Sequence, residues 1–140
     1  MTVQTVSLCE EDTEHAGAEL AKRLGAGTVV AMRGELGAGK TAFVRGMAAG
    51  LGIRSRVTSP TFAIVNEYPG SPELIHFDMY RLSCEDELYD LGWDDYLERN
   101  AVIVCEWSEN VPGVFENAVT VTIEKTGPQE RLITVEGEER

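Results

Sequence analysis

Thr28-Val29-Val30-Ala31-Met32, followed after Arg33 by Gly34-Glu35-Leu36-Gly37-Ala38-Gly39-Lys40-Thr41, is the stretch whose reading decides the fold. The first five residues are apolar or β-branched throughout, the pattern of a strand buried on both faces. The next eight match G-x-x-x-x-G-K-[ST] at every fixed position. Thr41 to Leu51 then reads as a helix, with Phe43, Met47 and Leu51 four apart and Gly52 beyond its end. Strand, glycine-rich turn and helix in this order form the context that a phosphate-cradling loop requires. Gly37 and Gly39 can take backbone angles that side chains forbid, so that amide N–H groups can close around phosphate oxygens. The helix start aims its positive dipole end at the same place. Lys40 can reach the β- and γ-phosphates, and the Thr41 hydroxyl can ligate Mg²⁺. The expectation is a nucleoside triphosphate bound with magnesium, with Glu35, Leu36, Gly37, Ala38, Gly39, Lys40, Thr41 and Ala42 around its phosphates.

Working outward, Val3 to Leu8 alternates weakly and suits a strand. Asp12 or Thr13 can cap a helix running to about Leu24, with Ala16, Leu20 and Leu24 on one face and Gly25 and Gly27 after it. Beyond the loop helix, Thr61 to Tyr68 and Leu74 to Tyr80 read as strands around the turn Pro69-Gly70-Ser71-Pro72. Cys84 to Leu91 and Asp95 to Arg99 read as short helices. Ala101-Val102-Ile103-Val104-Cys105 is a second apolar strand, and Val119 to Glu124 and Arg131 to Glu136 form a final pair. The predicted fold class is α/β: a P-loop NTPase-like mixed sheet with parallel core strands, antiparallel hairpin strands added at an edge, and flanking helices. At 140 residues, residues 1–140 are expected to be one domain.

A phosphate cradle needs carboxylates for its metal ion and its water. In Leu74-Ile75-His76-Phe77-Asp78-Met79-Tyr80 a period of two puts Ile75, Phe77 and Met79 on one face and His76 and Asp78 on the other. An Asp late in a strand needs a partner if it is buried, which a magnesium site or an ion pair with Arg81 would supply. Glu106 ends an apolar strand, the geometry that holds a metal beside such a loop, directly or through water; the plain alternative is an exposed strand-end carboxylate. His76 reads as a packing histidine. Val57-Thr58-Ser59-Pro60-Thr61-Phe62 reads equally as an ordinary Ser/Thr/Pro turn or as a segment that senses the γ-phosphate.

Composition narrows the remaining classes. With 43% hydrophobic and 26% charged residues the chain has an ordinary globular make-up. No apolar run approaches the ~20 residues needed to cross a bilayer, and Met1-Thr2-Val3-Gln4-Thr5 lacks the features of a secretory signal. A cytoplasmic location without membrane contact is expected. Cys9, Cys84 and Cys105 are odd in number and far apart, which fits reduced thiols and neither a zinc site nor a disulfide framework. The net charge of −12 argues against strong direct binding of nucleic acid. The acidic residues from Glu85 to Glu98 read as a solvated helical face or as a docking surface for a basic partner.

Gly34 to Thr41, Thr58-Ser59-Pro60-Thr61-Phe62, His76-Phe77-Asp78-Met79-Tyr80-Arg81-Leu82 and Cys105-Glu106-Trp107, in this order, together resemble the TsaE (YjeE) family from about Leu8 to Val135. The resemblance implies a small Mg²⁺-dependent ATPase of the tRNA threonylcarbamoyladenosine pathway, weak alone. It further implies that the protein acts with TsaD and TsaB and couples ATP hydrolysis to turnover of the TsaD–TsaB complex. Carried over residue by residue, Lys40 and the loop amides hold phosphates, Thr41 and Glu106 hold Mg²⁺, and Asp78 assists the metal or the attacking water. Trp107 sits next to the site, Thr61 belongs to the switch-like turn, and Glu10, Thr13 and Arg131 are candidate adenine contacts. Ala42 and Ser108 depart from the family's usual Thr and Pro. The alternative readings are a small P-loop kinase and a nucleotide-gated binding module. Against the kinase stands the lack of an Arg-rich insertion for a lid; against a guanine-specific switch, no Asn is followed by Lys.

Overall fold

The computed structural model describes residues 2–35, 38–57, 65–115 and 117–137, with the backbone alone at 109 and 112. In chain order the elements are β1 (Thr2–Ser7), α1 (Glu10–Arg23), β2 (Val29–Arg33), α2 (Lys40–Gly50), β3 (Val65–Tyr68), β4 (Leu74–Asp78), α3 (Glu85–Asp90), α4 (Trp93–Leu97), β5 (Val102–Glu106), β6 (Val119–Lys125) and β7 (Arg131–Glu136). Two single 3₁₀ turns, Ser108–Asn110 and Pro112–Val114, lie between β5 and β6.

All seven strands join one sheet in the order β1-β7-β6-β2-β5-β4-β3. The inner four, β6, β2, β5 and β4, run parallel. Antiparallel strands extend both edges, β7 and β1 on one side and β3 on the other, rather than a single edge as the sequence suggested. The two-residue period of β4 and β5 divides the core between the faces. Leu74, Val102 and Val104 join Leu20, Phe43 and Met47 beneath α1 and α2. Ile75, Phe77, Ile103 and Cys105 join Leu88 and Trp93 beneath α3 and α4. All five residues of β5 are therefore buried, which is why its sequence is apolar without alternation.

Helices α1 and α2 pack closely along a seam of small residues. A Cβ on Gly46 would lie 1.8 Å from the Glu14 carbonyl oxygen, and one on Gly17 would lie 2.1 Å from that of Phe43. Helix α1 begins earlier than the sequence suggested, with Cys9 at its N-cap position instead of Asp12 or Thr13. The reason is that both side chains act from inside the first turn. Asp12 accepts the Leu8 N–H at 3.0 Å, and the Thr13 hydroxyl meets that of Ser7 at 2.7 Å. Helix α3 is shorter than its predicted span, and α4 starts two residues before Asp95, where Trp93 anchors it with 2% exposure. Strand β4 stops at Asp78, and of the predicted strand from Thr61 only the part from Val65 lies within the described residues.

The carboxyl ends of the parallel strands converge. Met32 of β2 and Asp78 of β4 are both cross-strand partners of Glu106 in β5. Ligands of open α/β sheets bind at this end of the strands.

Candidate functional site

The loop between β2 and α2 is set by backbone constraints that its glycines meet. At Gly34 a Cβ would stand 2.7 Å from the Ile123 carbonyl oxygen, and Gly39 has φ +103° at the N-cap of α2. Lys40 and Thr41 are the first two residues of the 11-residue helix that follows. Lys40 is only 6% exposed. It donates to the Gly34 carbonyl at 2.8 Å and stands 4.1 Å above the centre of the Trp107 ring. Both contacts favour a cation that has left water. Ala38 turns its methyl group into the core, and its carbonyl accepts from Arg131 Nε at 2.9 Å. The turn before β7 is thereby fastened to the loop. Glu35 is exposed, and Leu36 and Gly37 lie outside the described residues, as does Thr61 with the whole segment 58–64.

Behind the loop, Asp78 and Glu106 end neighbouring parallel strands side by side. Asp78 is part-exposed, and its Oδ1 accepts the Tyr80 N–H at 3.0 Å. Glu106 is 4% exposed, which sets aside the exposed strand-end reading. Its Oε2 lies 2.5 Å from Nε2 of His76, a residue with no exposure at all. His76 thus packs in the core as expected, yet it also touches the candidate metal-holding carboxylate. Its Nδ1 has no hydrogen-bond partner among the described residues. A buried polar atom left unpaired costs about 1–3 kcal/mol.

Trp107 follows in the left-handed region at φ 59°, an uncommon conformation for a bulky side chain that costs about 1–3 kcal/mol. Three contacts hold it there. Its ring lies beneath Lys40 and meets the Tyr80 ring edge-on at 5.1 Å, while the Ser108 hydroxyl donates to the Met32 carbonyl at 3.2 Å. Asn110 Nδ2 donates to the Met79 carbonyl at 2.9 Å, tying this turn to the end of β4. Ser108, a departure from the usual family residue, therefore has a structural task in this chain.

These elements enclose an open cavity of ≈ 400 Å³ lined by Cys9, Glu10, Thr13, Gly39, Lys40, Thr41, Ala42, Arg45, Asp78, Glu106, Trp107, Gln129 and Arg131. A model of the family described as threonylcarbamoyl adenosine biosynthesis protein TsaE matches residues 8–133. The chain belongs to the TsaE family. It is 38% identical over 134 residues to the tRNA threonylcarbamoyladenosine biosynthesis protein TsaE of Treponema pallidum, spanning 95% of this chain and 99% of that protein. To the protein of the same name from Streptomyces coelicolor it is 45% identical over 130 residues, spanning 86% of this chain and 87% of the relative. The crystal structure of Bacillus subtilis YdiB superimposes with a TM-score of 0.77 at 32% identity, covering 96% of this chain and 84% of YdiB. Membership places the chain with the proteins of tRNA threonylcarbamoyladenosine biosynthesis and gives it a P-loop fold.

Within this TsaE-family site, Glu10, Thr13, Gly39, Lys40, Thr41, Ala42, Asp78, Glu106, Trp107 and Arg131 all face one cavity although they are scattered across the sequence. Glu35 and Ala38 do not line it. Ala38 is directed inward by its apolar methyl group, so the loop can contribute backbone there but no side chain. Cys9, Arg45 and Gln129 line it without having been expected. Arg45 carries a signal in hindsight, because it is four residues after Thr41 on the same helical face. It forms an ion pair with Glu10 and approaches Glu14 at 3.8 Å. Gln129 sits in a turn, where periodicity gives no information.

A magnesium ion fits the groups present. No cluster of three His, Cys, Asp or Glu side chains occurs among the described residues, as an all-protein metal cage would need. Mg²⁺ in nucleotide sites instead takes one or two protein carboxylates and completes its shell with water and phosphate oxygens. Glu106 meets that demand. Oε2 is engaged by His76, and Oε1 has no partner among the described residues. Asp78 and Thr41 stand on the same cavity.

Proposed function

We propose that this TsaE-family protein binds ATP with Mg²⁺ in the cavity at the head of α2 and hydrolyses it, slowly by itself. In this reading it acts in the cytoplasm with TsaD and TsaB, and hydrolysis drives turnover of the TsaD–TsaB complex. The observation that carries the proposal is the convergence of Lys40, Thr41, Asp78 and Glu106 on one cavity at the carboxyl edge of the sheet.

Lys40 would exchange its contacts with the Gly34 carbonyl and the Trp107 ring for the β- and γ-phosphate oxygens. That exchange costs little, because its side chain is already desolvated. The amides opening α2 would hold the same phosphates, assisted by the helix dipole. Thr41 and Glu106 would hold magnesium, which when bound neutralises charge on the β- and γ-oxygens. Asp78, its Oδ1 held by the Tyr80 amide, would orient the attacking water or a metal-bound one. Thr61, as part of the switch-like segment, would respond to the γ-phosphate, and Glu10, Thr13 and Arg131 would line the nucleoside side.

The test has two arms. Lys40→Ala is expected to weaken ATP affinity by at least tenfold in calorimetry. Glu106→Ala is expected to retain nucleotide binding while losing magnesium-dependent phosphate release by about a hundredfold, the scale of removing a charge-stabilising group from a reaction site. Normal hydrolysis by Glu106→Ala would overturn the metal assignment. In the second arm, TsaD and TsaB are tested for co-purification with the chain, with and without ATP. Nucleotide-independent absence of binding would remove the partner assignment and leave the ATP site standing.

A further inference from the structure

His76 is the one fully buried polar side chain of the central parallel strands that the proposed chemistry does not use. Its neighbours along β4, Leu74, Ile75 and Phe77, are apolar and have no exposure. An apolar side chain at 76 would continue that pattern and leave no polar atom unsatisfied. The histidine instead brings a buried Nδ1 with no partner among the described residues and spends its other nitrogen on Glu106. Core stability alone does not favour such an arrangement, because each buried polar atom must be satisfied to avoid a penalty. Glu106 raises the same question. It is a carboxylate with 4% exposure at the end of an otherwise apolar strand, and among the described residues His76 is its only side-chain partner.

We infer that His76 is a positioning residue: it holds Oε2 of Glu106 so that Oε1 is presented to the cavity as a magnesium ligand. The geometry supplies the steps. A carboxylate that ligates a cation only accepts hydrogen bonds, so in this arrangement the ring nitrogen Nε2, 2.5 Å from Oε2, is the donor. The ring has no open space to swing into, since His76 is fully buried, on a strand paired in register with Val104 of β5 and Asn66 of β3. One carboxylate oxygen is therefore fixed from behind, from the strand that also carries Asp78. The other remains for the cavity without a competing protein donor among the described residues. A partner that orients a metal ligand from outside the coordination shell commonly changes metal affinity by about 10–100-fold when removed.

The inference rests on the proposed metal role of Glu106, and the experiment separates the two. Binding of a non-hydrolysable ATP analogue is followed by calorimetry at increasing Mg²⁺ for wild type, His76→Leu, His76→Gln, His76→Asn and Glu106→Gln. His76→Leu is expected to bind the analogue without metal within about twofold of wild type and to need roughly tenfold more Mg²⁺ for half-maximal effect. His76→Gln, whose amide nitrogen reaches the place of Nε2, is expected to restore the wild-type Mg²⁺ requirement; His76→Asn, one carbon shorter, is not. A folded His76→Leu with the wild-type Mg²⁺ requirement overturns the inference. Should the leucine variant fail to fold, equal Mg²⁺ requirements in the Gln and Asn variants overturn it. If Glu106→Gln shifts the requirement and His76→Leu does not, only the role of His76 falls. If Glu106→Gln itself has no effect, the metal reading of Glu106 falls, and the inference with it.

Discussion

Cysteine reactivity distinguishes three environments in this chain, and one of them reports on the cavity. Cys105 lies in β5 without exposure, and burial pushes its thiol well above the ordinary value, so the reactive thiolate is suppressed. Cys84 is exposed before α3, and Cys9 is part-exposed on the wall of the cavity. Alkylation of the native protein followed by mass spectrometry is therefore expected to modify Cys84 first, Cys9 more slowly, and Cys105 only after denaturant is added. ATP with magnesium is expected to slow modification of Cys9 and leave Cys84 unaffected. Equal protection of both, or of neither, would contradict the proposed placement of the nucleotide beside the start of α1. No sequence pattern marks Cys9 as a cavity residue, because its position depends on Ser7 and Asp12 setting the entry to α1. The same limit explains His76. The alternation of β4 puts it beside Asp78, but only the pairing of β4 with β5 brings it to Glu106.

At the level of elements, the joint between α1 and α2 determines how the loop is presented, since α2 begins at Lys40. Gly46 is the tightest point of that joint, with Glu14 backbone occupying the space a Cβ would need. In an isolated helix Gly→Ala stabilises by about 1 kcal/mol. Here the clash is with backbone rather than with a flexible side-chain end, so α1 must move away from α2. Overpacking of this kind typically costs about 1–3 kcal/mol, which exceeds the propensity gain. Gly46→Ala is expected to lower the urea midpoint, and a stabilised variant would show that the two helices can separate freely. The sequence revealed α2 and its apolar face through Phe43 and Met47, whereas Gly17 and Gly46 were silent. A glycine within a helical pattern indicates a loss of propensity and does not say which partner approaches. The strands were legible where both faces are buried, as in β2 and β5, because their residue types are uniform. Element ends such as those of α1 and α4 were less so. There, Asp12 reaching back to Leu8 and the buried ring of Trp93 decide the boundary through contacts that no local pattern records.

For the molecule as a whole, the distribution of charge bears on how a protein of a tRNA modification pathway can act on its pathway. The chain carries 24 acidic and 12 basic residues, for a net charge of −12. The acidic residues of 85–98 are all exposed. Several cations are already committed within the fold. Lys40 is buried against the Gly34 carbonyl, Arg99 binds Glu67 and Glu73 at 2.7 Å each, and Arg45 pairs with Glu10. Affinity for nucleic acid depends on free Lys and Arg neutralising phosphates, and even ordinary non-specific binders reach only about 10⁻⁴–10⁻⁶ M at physiological salt. Against a like-charged surface the association must be weaker still, because the long-range field repels the polyanion before any contact forms. Purified protein at about 10 µM is therefore expected to leave tRNA unshifted in a native gel at roughly 100 mM salt, and lowering the salt should not rescue binding, since it lengthens the range of the repulsion. Under the proposed function, adding TsaD and TsaB is the condition in which a shifted species containing this chain is expected. A salt-sensitive micromolar complex between tRNA and the chain alone would mean that its few uncommitted cations form a phosphate-binding patch, and that the acidic face does not govern its encounters.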